Sequence, residues 1–126
     1  MRAVLSLALL GAAVIVGTAG SATAQTAEVT MPGKLFAPRA LDVLVGTTVT
    51  WRNADQTTHT VTDDDDEFDS GFVRPGGSFS ERFTEQGTFV YHCTIHRFMQ
   101  GAVHVFRVVL RGPEDPLPAG KRTRLD

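Results

Sequence analysis

The sequence predicts one small all-β domain folded as an antiparallel β-sandwich. After residue 24, short segments alternate apolar and polar residues with a period of two, and no segment has a helical period. Turn-forming residues such as the Gly76-Gly77 pair and Gln86-Gly87 separate these segments. Seven or so short strands with regular turns in about a hundred residues are typical of a two-sheet sandwich.

The predicted strands follow one another at short intervals along the chain. The segments with strand-like alternation are 27–31, 39–45, 47–53, 78–83, 87–93 and 102–109. In the third segment, Val49 and Trp51 alternate with Thr48, Thr50 and Arg52. In the fifth, Phe89, Tyr91 and Cys93 share one face, which we expect to point inward.

The first 24 residues have the pattern of a cleaved export signal. Arg2 gives a positive start, 4–17 is an almost unbroken apolar run, and Ala22-Thr23-Ala24 offers a small-residue cleavage site. The alternative is a transmembrane anchor, but the apolar run is short and no charged stop-transfer flank follows it. We therefore predict an exported protein, periplasmic or extracellular, without a membrane anchor.

The rest of the chain divides into a domain over 25–110 and a tail over 111–126. The tail holds three prolines, two glycines and seven charged residues, so we expect it to remain flexible. Without the signal, the chain keeps 11 basic and 14 acidic residues, because Arg2 is the only charged residue it removes. This excess of acidic residues argues against a nucleic-acid partner. We also expect the protein to be a monomer.

Four residues with soft or borderline donor atoms predict a copper site. Cys93, His96 and Met99 lie within seven positions, and His59 lies upstream. One thiolate, two imidazoles and one thioether suit copper that cycles between Cu(I) and Cu(II). Structural zinc and iron–sulfur clusters fit less well, because they need more strong ligands or more cysteines than the single Cys93.

These residues also carry a resemblance to a known family. The string His59-Thr60-Val61, followed by the segment 91–101 with its Cys-x-x-His-x-x-Met loop, resembles the cupredoxins, or small blue copper proteins. The short loop is most similar to that of the amicyanins. The strand that ends at Asn53 and the segment 87–91 also fit this family.

The resemblance implies a Greek-key sandwich with one mononuclear type 1 copper bound by His59, Cys93, His96 and Met99. It implies a carrier of single electrons and not an enzyme, with a redox donor and acceptor that dock near His96. Phe98 and Phe36 are candidates for an apolar surface there. Family members commonly have asparagine where this chain has Thr60, so we expect only part of the usual link to Thr94.

Two other functions stay open at this point. The chain could store or deliver copper, or it could be a subunit of a multi-copper enzyme in which His92 binds a second metal. His92 precedes Cys93 on a predicted strand, so its side chain should point to the opposite face, and we expect a surface histidine. His104, on the last strand, should also face outward.

The acidic run 63–67, followed by Asp69, has three possible interpretations. A calcium loop of the EF-hand type fits poorly, because Phe68 stands where such a loop needs glycine. A solvated loop and an electrostatic docking surface remain.

Overall fold

The fold is a sandwich of seven strands with no helix among the residues described. The computed structural model describes residues 24–112, so the predicted signal and nearly all of the predicted tail, residues 1–23 and 113–126, lie outside it. In the described part, no helix is long and apolar enough to cross a membrane. The strands are β1 (Thr26–Met31), β2 (Ala40–Leu44), β3 (Thr48–Asn53), β4 (Thr62–Asp63), β5 (Ser78–Arg82), β6 (Gly87–His92) and β7 (Gln100–Phe106).

Two sheets form the sandwich, which confirms the predicted all-β class. One sheet has the order β1-β3-β5 and the other the order β2-β7-β6-β4. Strand β4 is the one that the sequence did not predict. It has only two residues and lies at the start of the acidic run, where no alternation is visible.

Both sheets are mixed, although the alternation had predicted antiparallel pairing throughout. Strands β1 and β3 pair in parallel, as do β2 and β7, while the other three pairs are antiparallel. Consecutive strands such as β1, β2 and β3 lie in alternate sheets. Apart from β6 and β7, neighbours within a sheet are therefore not consecutive in the chain, and alternation within a strand does not fix their relative direction.

The core between the sheets is centred on Trp51. Its ring centroid lies 5.3 Å from that of Tyr91 on the opposite sheet and 5.8 Å from that of Phe68. Trp51, Val49, Tyr91 and Cys93 are fully buried. Apolar burial of this kind stabilises the sandwich and fixes the strand register, because a shift by one residue would expose these side chains.

Candidate metal centre

The loop after β3 fixes the position of His59. Asn53, at the end of β3 and 1% exposed, donates hydrogen bonds from Nδ2 to the carbonyls of Thr57 and Val73 at 2.8 and 2.9 Å. The backbone of His59 pairs with that of Val73 in both directions, at 3.0 and 2.7 Å. His59 is therefore held at one end of the sandwich with its side chain fully buried.

The loop between β6 and β7 carries the other three predicted ligands. The N–H of Cys93 donates to the carbonyl of Met99 at 3.1 Å, and the N–H of Met99 donates to the carbonyl of His96 at 2.8 Å. These bonds close the loop over the buried sulfur of Cys93. Met99 is 2% exposed, and His96 is half-buried.

The donor atoms of His59, Cys93 and His96 form a triangle. The two Nδ1 atoms are 3.2 Å apart, and Cys93 Sγ lies 3.9 Å from Nδ1 of His59 and 3.8 Å from Nδ1 of His96. A metal bonded at about 2.0 Å to nitrogen and about 2.3 Å to sulfur would give separations of about 3.5 and 3.8 Å. The triangle thus has the size of a trigonal metal site.

The chemistry of the donors selects the metal. Two imidazoles and one thiolate in a trigonal arrangement, with methionine as a weak fourth ligand, form the donor set of a blue copper centre. Among residues 24–112, His59, Cys93 and His96 are the one group of three histidine, cysteine or acidic side chains whose donor atoms lie within 4.8 Å of one another. The cofactor that this site fits is a single copper ion.

Backbone amides surround the sulfur. The N–H groups of Thr60 and His96 donate to Cys93 Sγ at 3.4 and 3.5 Å. Thr60 also accepts a hydrogen bond at its hydroxyl oxygen from the N–H of Thr94, at 2.8 Å, and the two hydroxyl oxygens are 3.2 Å apart. Thr60 is therefore hydrogen-bonded directly to Thr94, whereas the sequence analysis had predicted only part of this link.

Asp55 is a residue of the site that the sequence analysis missed. Its Oδ2 atom lies 3.0 Å from His59 Nε2, the ring nitrogen on the far side from the donor triangle. The N–H of Gln56, followed by the imidazole of His59, lowers the pKa of Asp55 below its usual range. The spacing Asp-x-x-x-His was the available signal, but a loop of unknown shape gave it no meaning.

His96 is the most accessible of the three triangle residues. Partial burial, with the nearby charges of His59 and Lys34, lowers the pKa of His96 below its usual value. The neutral imidazole that this favours is the form that binds metals.

The ring of Phe98 lies 6.1 Å from that of His96, and Phe98 is 73% exposed. Phe36, the other candidate for an exposed apolar surface, is instead 4% exposed, because its ring packs on Tyr91.

The remaining histidines lie away from the triangle, as predicted. His92 Nδ1 pairs with Asp64 Oδ1 at 2.6 Å, and His104 Nδ1 lies 3.1 Å from the hydroxyl of Thr88.

In the acidic run, Asp64 is exposed, but Asp63 is 3% exposed. Asp63 accepts hydrogen bonds from the next turn, so it belongs to the framework and not to a solvated surface.

Comparison with known proteins agrees with this geometry. Residues 5–105 match the family model of the cupredoxin-like domain. Amicyanin from Paracoccus denitrificans is 39% identical over 75 residues, which cover 52% of this chain and 53% of amicyanin, so the chain spans about half the length of this relative.

Solved structures extend the similarity to the fold. A purple cupredoxin from Nitrosopumilus maritimus is 30% identical with a TM-score of 0.61, covering 64% of this chain and 99% of that one. A Cu-containing nitrite reductase from Thermus scotoductus SA-01 is 29% identical with a TM-score of 0.65, covering 76% of this chain but only 25% of the reductase. The predicted resemblance is confirmed, and the chain belongs to the family of cupredoxin-like domains.

Proposed function

We propose that His59, Cys93, His96 and Met99 bind one copper ion and that the protein carries single electrons between redox partners. The observation that supports this most directly is the triangle of two imidazole nitrogens and one sulfur, with sides of 3.2 to 3.9 Å. Bound copper would supply the Cu(II)/Cu(I) couple. Met99, buried on the same loop, would be the weak axial ligand.

The framework around the ligands suits this role because it resists rearrangement. Backbone pairing with Val73 holds His59, and the closed loop from Cys93 to Met99 holds the other ligands. Ligands fixed in this way give similar surroundings to both oxidation states, so little reorganisation accompanies electron transfer. A storage or delivery protein would instead need a site that opens to release copper.

Partners would dock at the surface around His96. His96 is half-buried, and the exposed side chains of Ile95 and Phe98 flank it on the same loop. An apolar surface of this kind allows close approach without a large cost of desolvating charged groups. The electron would then pass through the ring of His96 to a donor or acceptor.

The proposed protein is an exported, monomeric carrier and not an enzyme. Among residues 24–112, His92 belongs to no group of three histidine, cysteine or acidic side chains with donor atoms within 4.8 Å of one another, which argues against a second copper bound within this part of the chain. A nitrite reductase is much longer than this chain, and the similarity covers only a quarter of it. The enzyme-subunit alternative would therefore require residues from another chain.

The test is copper binding followed by spectroscopy and reduction. The chain loaded with Cu(II) should bind one copper, show the intense visible absorption of a thiolate–copper bond, and undergo reversible one-electron reduction. Cys93→Ser should lose that absorption, because a hydroxyl is a hard, weak ligand. The matched control His92→Gln, one residue earlier, should keep it.

Two outcomes would contradict the proposal. More than one tightly bound copper per chain, with the second lost in His92→Gln, would support an enzyme subunit. Copper that exchanges rapidly with a chelator and shows no reversible redox step would support storage or delivery.

A further inference from the structure

The carboxylate of Asp55 is in contact with the ring of His59 on the side opposite the donor triangle. Its Oδ2 atom lies 3.0 Å from Nε2 of His59, whose side chain is fully buried. The side chain of Asp55 is 14% exposed, so water competes little for this contact. Metal-binding histidines commonly donate their second ring N–H to a carboxylate, which fixes the tautomer and raises the basicity of the ligand.

Backbone hydrogen bonds hold this carboxylate in place independently of His59. The N–H of Lys34 donates to Oδ2 at 2.8 Å, and the N–H of Gln56 donates to Oδ1 at 2.7 Å. The N–H of Asp55 itself donates to the side-chain oxygen of the buried Asn53 at 2.8 Å. Asp55 is therefore oriented toward the imidazole by the loop after β3 and by the turn at Lys34.

The direction of the hydrogen bond follows from the chemistry of the pair. An ionised carboxylate only accepts hydrogen bonds, so His59 Nε2 must carry a proton. In the neutral imidazole, Nδ1 then keeps its lone pair, and Nδ1 is the atom that faces Cys93 Sγ and His96 Nδ1. The pair thus prepares the donor atom of His59 for a metal.

We propose that Asp55 is a positioning residue that fixes the tautomer of His59 and lowers the reduction potential of the copper centre. The effect on the potential rests on the proposed function, whereas the tautomer does not. Cu(II) carries one more positive charge than Cu(I), so a negative charge behind a ligand stabilises Cu(II) more. A more basic imidazole acts in the same direction.

A second aspartate–histidine pair in the chain offers a matched control. Asp64 Oδ1 lies 2.6 Å from Nδ1 of His92, but His92 is outside the donor triangle. Asp55→Asn and Asp64→Asn each remove one negative charge, and each replaces a carboxylate that contacts a histidine ring by an amide. Only the first should act on copper.

The main experiment compares the reduction potentials of Asp55→Asn and Asp64→Asn with that of the unchanged protein. Loss of an outer-shell partner commonly weakens metal binding by about 10- to 100-fold. If Cu(II) bears most of this loss, Asp55→Asn should shift the Cu(II)/Cu(I) equilibrium toward Cu(I) by about tenfold, or about 59 mV upward for one electron. Asp64→Asn should leave the potential unchanged. Equal potentials for all three proteins, or a lower one for Asp55→Asn, would overturn the proposal.

A second measurement on the copper-free protein separates this inference from the proposed function. Nitrogen-15 NMR of the His59 ring should show the proton on Nε2, with its signal shifted downfield by the hydrogen bond and moved upfield in Asp55→Ala. A proton on Nδ1 alone would overturn the tautomer assignment. If the copper-loaded protein shows the thiolate–copper band but Asp55→Asn does not change its potential, the inference is refuted and the proposed electron-carrier function is not. If the chain shows no thiolate–copper band, the proposed function and the effect on the potential are refuted together.

Discussion

The hydroxyl oxygen of Thr60 accepts a hydrogen bond of 2.8 Å from the backbone N–H of Thr94, and this contact joins the two loops that carry the predicted ligands. Thr60 follows His59, and Thr94 follows Cys93. The hydroxyl of Thr62, at 3.1 Å, is a further neighbour of Thr60 Oγ1. One buried oxygen thus connects two segments of the chain beside the sulfur.

We therefore expect Thr60→Val to destabilise the copper-free protein. Valine keeps the size and branching of threonine but leaves the N–H of Thr94 without its acceptor, which should lower the free energy of unfolding by about 1–3 kcal/mol. Urea unfolding measures this loss. Thr60→Ser should retain most of the stability.

The control is Thr50→Val, which removes an exposed hydroxyl 2.7 Å from that of Ser80. Exposed substitutions of this kind usually change stability by less than about 0.5 kcal/mol. Equal losses for Thr60→Val and Thr50→Val would contradict the linking role of Thr60.

Methionine 99 provides the second prediction. If Met99 is a weak axial ligand, Met99→Leu should keep copper and the visible band while raising the reduction potential, because Cu(II) loses a donor that Cu(I) needs less. Cyclic voltammetry measures the change. Met31→Leu, at the other fully buried methionine of the core, should leave the potential unchanged. Loss of copper from Met99→Leu would argue against an axial role.

Several parts of the fold and the site could be predicted from the sequence because they depend on local pattern. Alternation along the segment 87–93 placed Tyr91 and Cys93 in the core. The spacing of Cys93, His96 and Met99 put three donors on one short loop. The assignment of His59 depended on its donor type, its loop after the Trp51 segment and the family resemblance, since its place beside Cys93 depends on two loops that are far apart in sequence.

The parts that the sequence did not predict depend on tertiary contacts. The parallel pairing of β1 with β3 and of β2 with β7 follows from how the chain crosses between sheets. Asp55 is recognisable as a partner of His59 only once the loop brings them to 3.0 Å. Phe36 was a candidate for the apolar surface around His96, yet its ring packs against Tyr91.

Glycine 101 gives a prediction about packing. It pairs with Tyr91 across β6 and β7, and a Cβ atom there would lie 2.5 Å from the Cζ and hydroxyl oxygen of the Tyr91 ring. That ring cannot move aside easily, because Trp51 and Phe36 pack against it. Gly101→Ala should therefore lower the free energy of unfolding by about 1–3 kcal/mol.

Thermal or urea unfolding tests this prediction against Gly112→Ala. Among the residues that the structure describes, no atom lies within 4 Å of a Cβ atom placed at Gly112, so that substitution should not destabilise the protein. If both alanine variants are as stable as the unchanged protein, the close approach of β7 to Tyr91 does not constrain residue 101.

The acidic run gives the last prediction, which concerns the rate of encounter with a partner. Asp65, Asp66 and Glu67 are exposed, whereas Asp63 is buried and accepts hydrogen bonds from the turn. Neutralising Asp65 and Asp66 as Asn should leave the potential and the stability nearly unchanged. It should slow reduction by a cationic reagent such as hexaammineruthenium(II) at low salt, because surface charge steers association over about 8 Å at physiological ionic strength.

The control is Glu28→Gln combined with Asp42→Asn, which makes the same change in net charge on β1 and β2, and β2 lies at the opposite edge of its sheet from β4. Stopped-flow rates over a series of salt concentrations should fall more for the acidic-run variant, and their dependence on salt should become flatter. If the two double variants react at the same rate, only net charge matters. The run is then a solvated loop, and docking depends on the apolar surface around His96.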